Sequence, residues 1–244
     1  MSTVVLLHGI GGATWAGLVP ALAPAPVLDW PLPGYGGTPM LPETGFAAWA
    51  AALRERLDAE GIPRADLLGH SIGGMLAQEF ALTWPERVRS LVLYATTPAF
   101  GGRDPAFAEG FLAERLAPLD RGLGMAALAA EGIPPMLGPE APPGAAEAAT
   151  AAMAAVPEAA YRATVRALTT FDRRDDIGRI AAPTLLLAGE RDPLAPPRTM
   201  GRMAAAIRGA RLVVLPGAGH LAHLEQPAAF NAAVRDFLHT VREG

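Results

Sequence analysis

Between Ala65 and Leu82 the chain passes from an apolar run of strand length to a helical run, with only Gly69-His70-Ser71-Ile72-Gly73-Gly74 between them. A strand that must turn into a helix over so few residues needs a sharp bend, and the spacing Gly69-x-Ser71-x-Gly73 puts a serine at its apex. The glycines two before and two after leave room for strand and helix to meet, while the apex residue is pushed into strained backbone geometry. Its hydroxyl then stands at a helix N-terminus, where backbone N–H groups and the helix dipole favour negative charge. A serine there can also be a plain N-cap in a glycine-rich connection. The pentapeptide alone leaves both readings open.

The rest of the chain surrounds this bend with alternating elements. Thr3 to Leu7 reads as a strand closed by His8-Gly9-Ile10-Gly11-Gly12, and Ala13 to Leu22 as a helix. Val27 to Trp30 is a second strand that runs into the loop Pro31 to Pro39. Thr44 is placed to cap a helix that reaches Glu60, with Phe46, Trp49, Leu53 and Leu57 on one face. After the Ser71 unit comes a strand from Ser90 to Tyr94. Such alternation predicts an α/β fold: a mainly parallel, doubly wound sheet covered on both faces. From about Phe100 to Asp172 the strands stop, and alanine-rich helical pieces follow one another between proline-rich breaks. That segment is expected to be a helical lid over one end of the sheet, dividing the chain into core residues 1–98, a cap of 99–172 and core residues 173–244. Strands then return at Pro183 to Ala188 and Ala210 to Leu215, with helices from Thr199 to Ile207 and Pro227 to Val241.

A length of 244 residues suits one such domain, and 51% apolar composition argues against disorder. The formal net charge of −4 carries no basic footprint for nucleic acid. Cysteine is absent, which excludes disulfides and thiolate-held metals, and every fixed cation is arginine. Without a signal-like start or an apolar stretch of membrane-spanning length, the expectation is a cytoplasmic protein with no membrane partner.

An alkyl hydroxyl is a weak nucleophile at neutral pH and needs a general base, and an imidazole base needs a partner that holds its tautomer and stabilises its cation. Open parallel sheets present such groups at strand C-terminal ends. His220 follows one strand inside Gly217-Ala-Gly-His220, and Asp192 follows the strand before it. The order Ser71, Asp192, His220 is the chain order of a serine hydrolase of this type. His223 is the rival base and reads better as a wall residue; Glu190 is the rival acid, two residues before Asp192 in the bend. His70 is expected to pack or hydrogen-bond in the turn, His8 to orient its loop, and His239 to be solvated. An oxyanion needs two backbone donors, assigned to the amides of Ile72 and Ile10.

Together, Leu6-Leu-His-Gly9, Gly34-Tyr-Gly-Gly-Thr38, Gly69-His-Ser-Ile-Gly-Gly74, Gly189-Glu-Arg-Asp192 and Gly217-Ala-Gly-His-Leu-Ala-His-Leu-Glu-Gln-Pro227 resemble the α/β-hydrolase superfamily over essentially the whole chain. Phe171 to Ile180 and the C-terminal block are similar to 3-oxoadipate enol-lactonases and related small esterases. The resemblance implies a helical cap after the sixth family strand, no cofactor and no metal, with Ser71 as nucleophile, Asp192 as acid, His220 as base and the Ile10 and Ile72 amides as oxyanion donors. Two departures stand out. The chain begins on what would be the family's third strand, so the N-terminal antiparallel hairpin is missing or reduced, and the loop Asp29 to Gly34 is longer than usual.

The expected chemistry is hydrolysis of a small, largely apolar carboxylic ester or lactone through an acyl-enzyme. Carbon–carbon bond hydrolysis of a vinylogous diketone and a non-catalytic binding module are the alternatives. Gly9, His70, Phe107, Phe111, Met136, Leu137, Leu194 and Leu221 are expected to contact substrate. Arg103, Arg115 and Arg121 could meet a substrate carboxylate, although each singly reads as solvated surface.

Overall fold

The computed structural model describes residues 2–101 and 105–243, so Arg103 lies outside the described residues. Six strands, β1 (Val4–Leu7), β2 (Val27–Trp30), β3 (Ala65–His70), β4 (Val88–Tyr94), β5 (Thr184–Gly189) and β6 (Arg211–Leu215), form one sheet in the order β2-β1-β3-β4-β5-β6. Every neighbouring pair is parallel. Among the described residues the sheet holds no antiparallel strand.

Side chains alternate across the sheet and bury on both faces. Val5, Leu7, Leu67, Leu91, Leu93 and Leu186 join one core, while Val4, Leu6, Leu68, Val92, Tyr94, Leu185 and Leu187 join the other. Burial on both sides is why stretches such as Val4–Leu7 and Leu91–Tyr94 are apolar at successive positions rather than alternating. The first core is closed by α1 (Phe46–Ala59), α2 (Ile72–Thr83) and α7 (Pro197–Ala206), the second by α9 (Pro227–Glu243), whose Phe230, Val234, Phe237 and Leu238 are all buried. Between β4 and β5 lie α3 (Pro105–Asp120), α4 (Gly124–Gly132), α5 (Pro143–Ala154) and α6 (Glu158–Leu168). The short α8 (Ala222–Glu225) precedes α9.

Two local expectations are corrected. Ala13 to Leu22 is not one α-helix but two 3₁₀ turns, Trp15–Gly17 and Val19–Leu22, because Pro20 withholds a backbone donor and Gly17 adds flexibility. The helix α1 is capped by Gly45 in an extended conformation, with no side-chain cap bond, so Thr44 does not serve as its cap.

The strand order places the site. The chain leaves β1 toward β2 on one side, while β3 pairs on the other, so the loops after β1 and β3 separate and open a crevice at the strands' C-terminal ends. Register sets Leu7 beside Gly69 and His70 beside Tyr94, bringing the Gly9–Gly12 turn and the Ser71 bend to that crevice.

Candidate functional site

Ser71 stands between β3 and α2 at φ 53°, ψ −117°, a left-handed conformation that costs a non-glycine residue on the order of 1–3 kcal/mol. The neighbours over-determine it. Its N–H donates to Tyr94 O at 2.9 Å, and its carbonyl accepts from Thr96 Oγ1 at 2.7 Å and from the Gly74 and Met75 amides. The packing leaves no space for side chains on the flanking glycines: a Cβ on Gly73 would lie 2.1 Å from Leu7 O, and one on Gly69 would lie 2.3 Å from Gly73 O. The Ile72 amide opens α2, where no carbonyl within the helix can accept it.

His220 Nδ1 lies 2.8 Å from Asp192 Oδ2, and both residues are buried, 4% and 3% exposed. A carboxylate only accepts, so the neutral ring donates from Nδ1 and keeps Nε2 as its acceptor. The other Asp192 oxygen accepts from the Leu194 and Ala195 amides at 2.8 and 3.0 Å. Burial by itself raises the Asp192 carboxyl, but the adjacent His220 ring and those two amides outweigh it and hold the group below its ordinary value. Glu190 is half outside this arrangement: it accepts from the Gly217 amide and lies beside Arg191.

Three further imidazoles sit around the site, all with lowered pKa. His8 is driven by burial to about 4, the Gly9 carbonyl opposing; its Nε2 accepts from the Leu32 amide while Nδ1 donates to Gly9 O. It orients the loop, as its position suggested. Burial and then the neighbouring His220 ring take His70 well below its usual value; its Nε2 donates to His220 O at 3.1 Å and its ring stacks on Tyr94. Burial likewise takes His223 to about 3. Tyr94 gives its proton to His220 O at 2.8 Å, so His223 Nδ1 donates to the phenol oxygen and Nε2 accepts from Thr14 Oγ1. His223 is therefore part of the support behind His220.

Glu225 was not singled out in the sequence. The structure gives it three backbone donors: Gly138 N at 2.7 Å, Gly219 N at 2.9 Å and Leu221 N at 3.0 Å. The His220 amide donates to Met136 O at 2.7 Å in the same place. This latch fastens the segment after α4 to the turn that carries His220. Backbones touch so closely that a Cβ on Gly219 would lie 2.3 Å from Met136 O.

Ser71 and His220 open on one cavity of about 770 Å³, within the range of small-ligand sites. Its walls include the Gly9–Gly12 turn, the β4 exit from Ala95 to Phe100, and residues of α3, α5, α6 and α7. Of the residues expected to contact substrate, Gly9, His70, Phe107, Phe111, Met136, Leu194 and Leu221 line it. Leu137 does not; it packs partly buried against the first core. Ile10 lines the cavity, whereas the Ile72 side chain is buried beneath it. Tyr161, Val165 and Leu168 were missed, although their spacing of four and three along α6 marks one helical face. Among the cations, Arg115 lines the cavity, and Arg121 is exposed and does not. No group of three or more histidine and carboxylate side chains among the described residues is placed to hold a metal ion, and no described helix is long and apolar enough to cross a membrane.

Comparison with known proteins agrees with this architecture. A family model described as "Alpha/beta hydrolase family" matches residues 4–233. RutD of Variovorax paradoxus, which bears the name of a carbamate hydrolase, is 35% identical over 98% of this chain and 92% of its own length. The pimeloyl-[acyl-carrier protein] methyl ester esterase of Aeromonas hydrophila is 32% identical over 96% of this chain and 94% of its own. Among solved structures, the enol-lactonase from Burkholderia xenovorans LB400 superposes with a TM-score of 0.86 at 26% identity, covering 98% of this chain and 91% of that one.

Proposed function

The chain belongs to the alpha/beta hydrolase family, and from that premise we propose that it hydrolyses a small, largely apolar carboxylic ester or lactone through an acyl-enzyme. Ser71 is the nucleophile, His220 the general base and Asp192 its partner; residues 99–172 act as a helical cap on the core of 1–98 and 173–244. One observation carries this reading: a serine at φ 53° and an imidazole hydrogen-bonded to a buried carboxylate face the same apolar cavity. The names borne by an esterase and an enol-lactonase similar to this chain favour ester or lactone over other acyl substrates.

In the mechanism, Ser71 Oγ attacks the substrate carbonyl as its proton passes to His220 Nε2. Asp192, ionised at neutral pH, stabilises the resulting imidazolium and fixes the ring's orientation. The oxyanion accepts from the Ile10 and Ile72 amides, each such donor being worth about 3–4 kcal/mol in the transition state. His220 returns the proton to the departing alkoxide, which leaves as an alcohol. Water then attacks the acyl carbon, giving its proton to His220, and collapse releases the acid and restores Ser71. The neutral His70 and His223 behind His220 add no competing positive charge.

Ser71→Ala is expected to cut turnover of a p-nitrophenyl ester by about 10⁴–10⁶-fold with the fold intact. A fluorophosphonate should label the native protein at Ser71 and leave the variant unlabelled. Near-native hydrolysis by a folded Ser71→Ala variant would overturn the proposal.

A further inference from the structure

Among the described residues three arginines line the cavity, and their surroundings differ. Arg174 is neutralised by Asp172, which it grips through two nitrogens at 3.0 and 2.6 Å. Arg202 is exposed on α7, where water solvates its charge. Arg115, on α3, is only partly exposed, and among the described residues no carboxylate lies within ion-pair distance of it. It has two described neighbours on the cavity wall. The Phe111 ring lies 5.6 Å from its guanidinium carbon, and the buried Tyr161 on α6 lines the same cavity, close enough for the guanidinium charge to act on its phenol. A guanidinium cannot accept a hydrogen bond, so the Tyr161 O–H remains a donor for a ligand.

A partly buried cation without a counter-charge is costly to desolvate. The cost is recovered when an anion arrives in its plane, and the planar fork of arginine matches the two oxygens of a carboxylate. Ile133, Val165 and Phe111 add apolar lining to the same cavity. We propose that Arg115 and Tyr161 form a carboxylate-binding subsite, so that the preferred substrate is an ester or lactone whose apolar acyl chain ends in a second, free carboxylate. This specificity rests on the hydrolase reading above. Arg115 binds the carboxylate bidentately, Tyr161 adds the remaining donor, and the chain between lies along the apolar wall toward Ser71. Hydrolysis of such a half-ester yields a dicarboxylate and an alcohol.

The test compares p-nitrophenyl half-esters of dicarboxylic acids, over a short series of chain lengths, with the same compounds capped as neutral methyl esters. At one chain length the native protein should favour the free carboxylate in kcat/KM, chiefly through KM. In Arg115→Met the ratio of charged to neutral substrate should fall about 10- to 100-fold, with Arg115→Lys recovering part and Tyr161→Phe losing less. A ratio at or below one at every chain length, or one that Arg115→Met leaves unmoved, overturns the subsite. Fluorophosphonate labelling of the native protein separates the two failures. A labelled enzyme that hydrolyses neutral esters without dependence on Arg115 refutes only the subsite; an unlabelled, inactive one refutes the hydrolase. Should Arg115→Met not fold, inhibition of native neutral-ester hydrolysis by an aliphatic monocarboxylate is set against its primary amide. Stronger inhibition by the carboxylate supports the subsite and equal inhibition overturns it.

Discussion

Ser71 and Ala95 are the two described non-glycine residues at positive φ, 53° and 47°, and they end adjacent strands. Strain concentrated at the exits of β3 and β4 keeps the Ser71 hydroxyl at the cavity and turns the chain away from it. The bend survives because nothing larger than hydrogen occupies position 73. Gly73→Ala is therefore expected to cost about 3 kcal/mol or more, since its methyl would strike the backbone of β1 rather than a side chain that can move. Gly110, inside α3 with open space where a Cβ would go, is the contrasting position. Gly110→Ala should stabilise by about 0.5–1 kcal/mol by restricting the unfolded chain. Urea unfolding of both variants measures the difference, and equal effects would contradict this account of the bend.

The helices between β4 and β5 are joined to the rest by specific fastenings. At one end Arg173 grips Glu79 of α2 through two bonds of 2.7 Å. At the other, the Glu225 latch binds the Met136–Gly138 segment to the His220 turn. Glu225→Ala would leave three buried amides without an acceptor, each worth about 1–3 kcal/mol. A loss of at least about 3 kcal/mol in urea unfolding is expected. Because the latch fixes the backbone of His220, kcat for an activated ester should also fall, on the order of 10²-fold for a displacement near 1 Å. Loss of stability with unchanged kcat would show that the latch holds the helices without positioning the imidazole.

Three buried imidazoles make the molecule as a whole sensitive to acid. His8 and His223 are lowered from 6.5 to about 4 and about 3, and His70 lies well below its usual value. Between those values and 6.5 the unfolded chain binds protons that the folded one refuses, so stability rises with pH across that window. It is fully present above about pH 6.5 and is lost progressively as pH falls toward 4, with His8 alone accounting for roughly 3 kcal/mol. Asp192, lowered from 3.8, acts in the same direction at still lower pH: its contribution is present above 3.8 and disappears as pH falls through its folded value. Urea midpoints measured from pH 7.5 to 4 should drop steeply below about 6.5. A flat profile would mean that these rings are not held neutral.

The parallel sheet, the bend at Ser71 and the candidate residues Asp192 and His220 were legible in the sequence because each obeys a local rule. Apolar runs mark strands buried on both faces, glycine spacing marks a turn with no room for a Cβ, and polar residues just past such runs mark strand ends. Thr44 and the Ala13–Leu22 segment misled because caps and short helices depend on the backbone angle at which the chain arrives. Long-range approach decided the rest. Only the packing of α3 against α6 brings Arg115 to Tyr161, and only the fold of the His220 turn brings Glu225 to Gly138, 87 residues away. Spacing along the chain encodes faces and ends of elements; which side chains then meet across a cavity is set by how the elements dock, because those contacts have no period in the sequence.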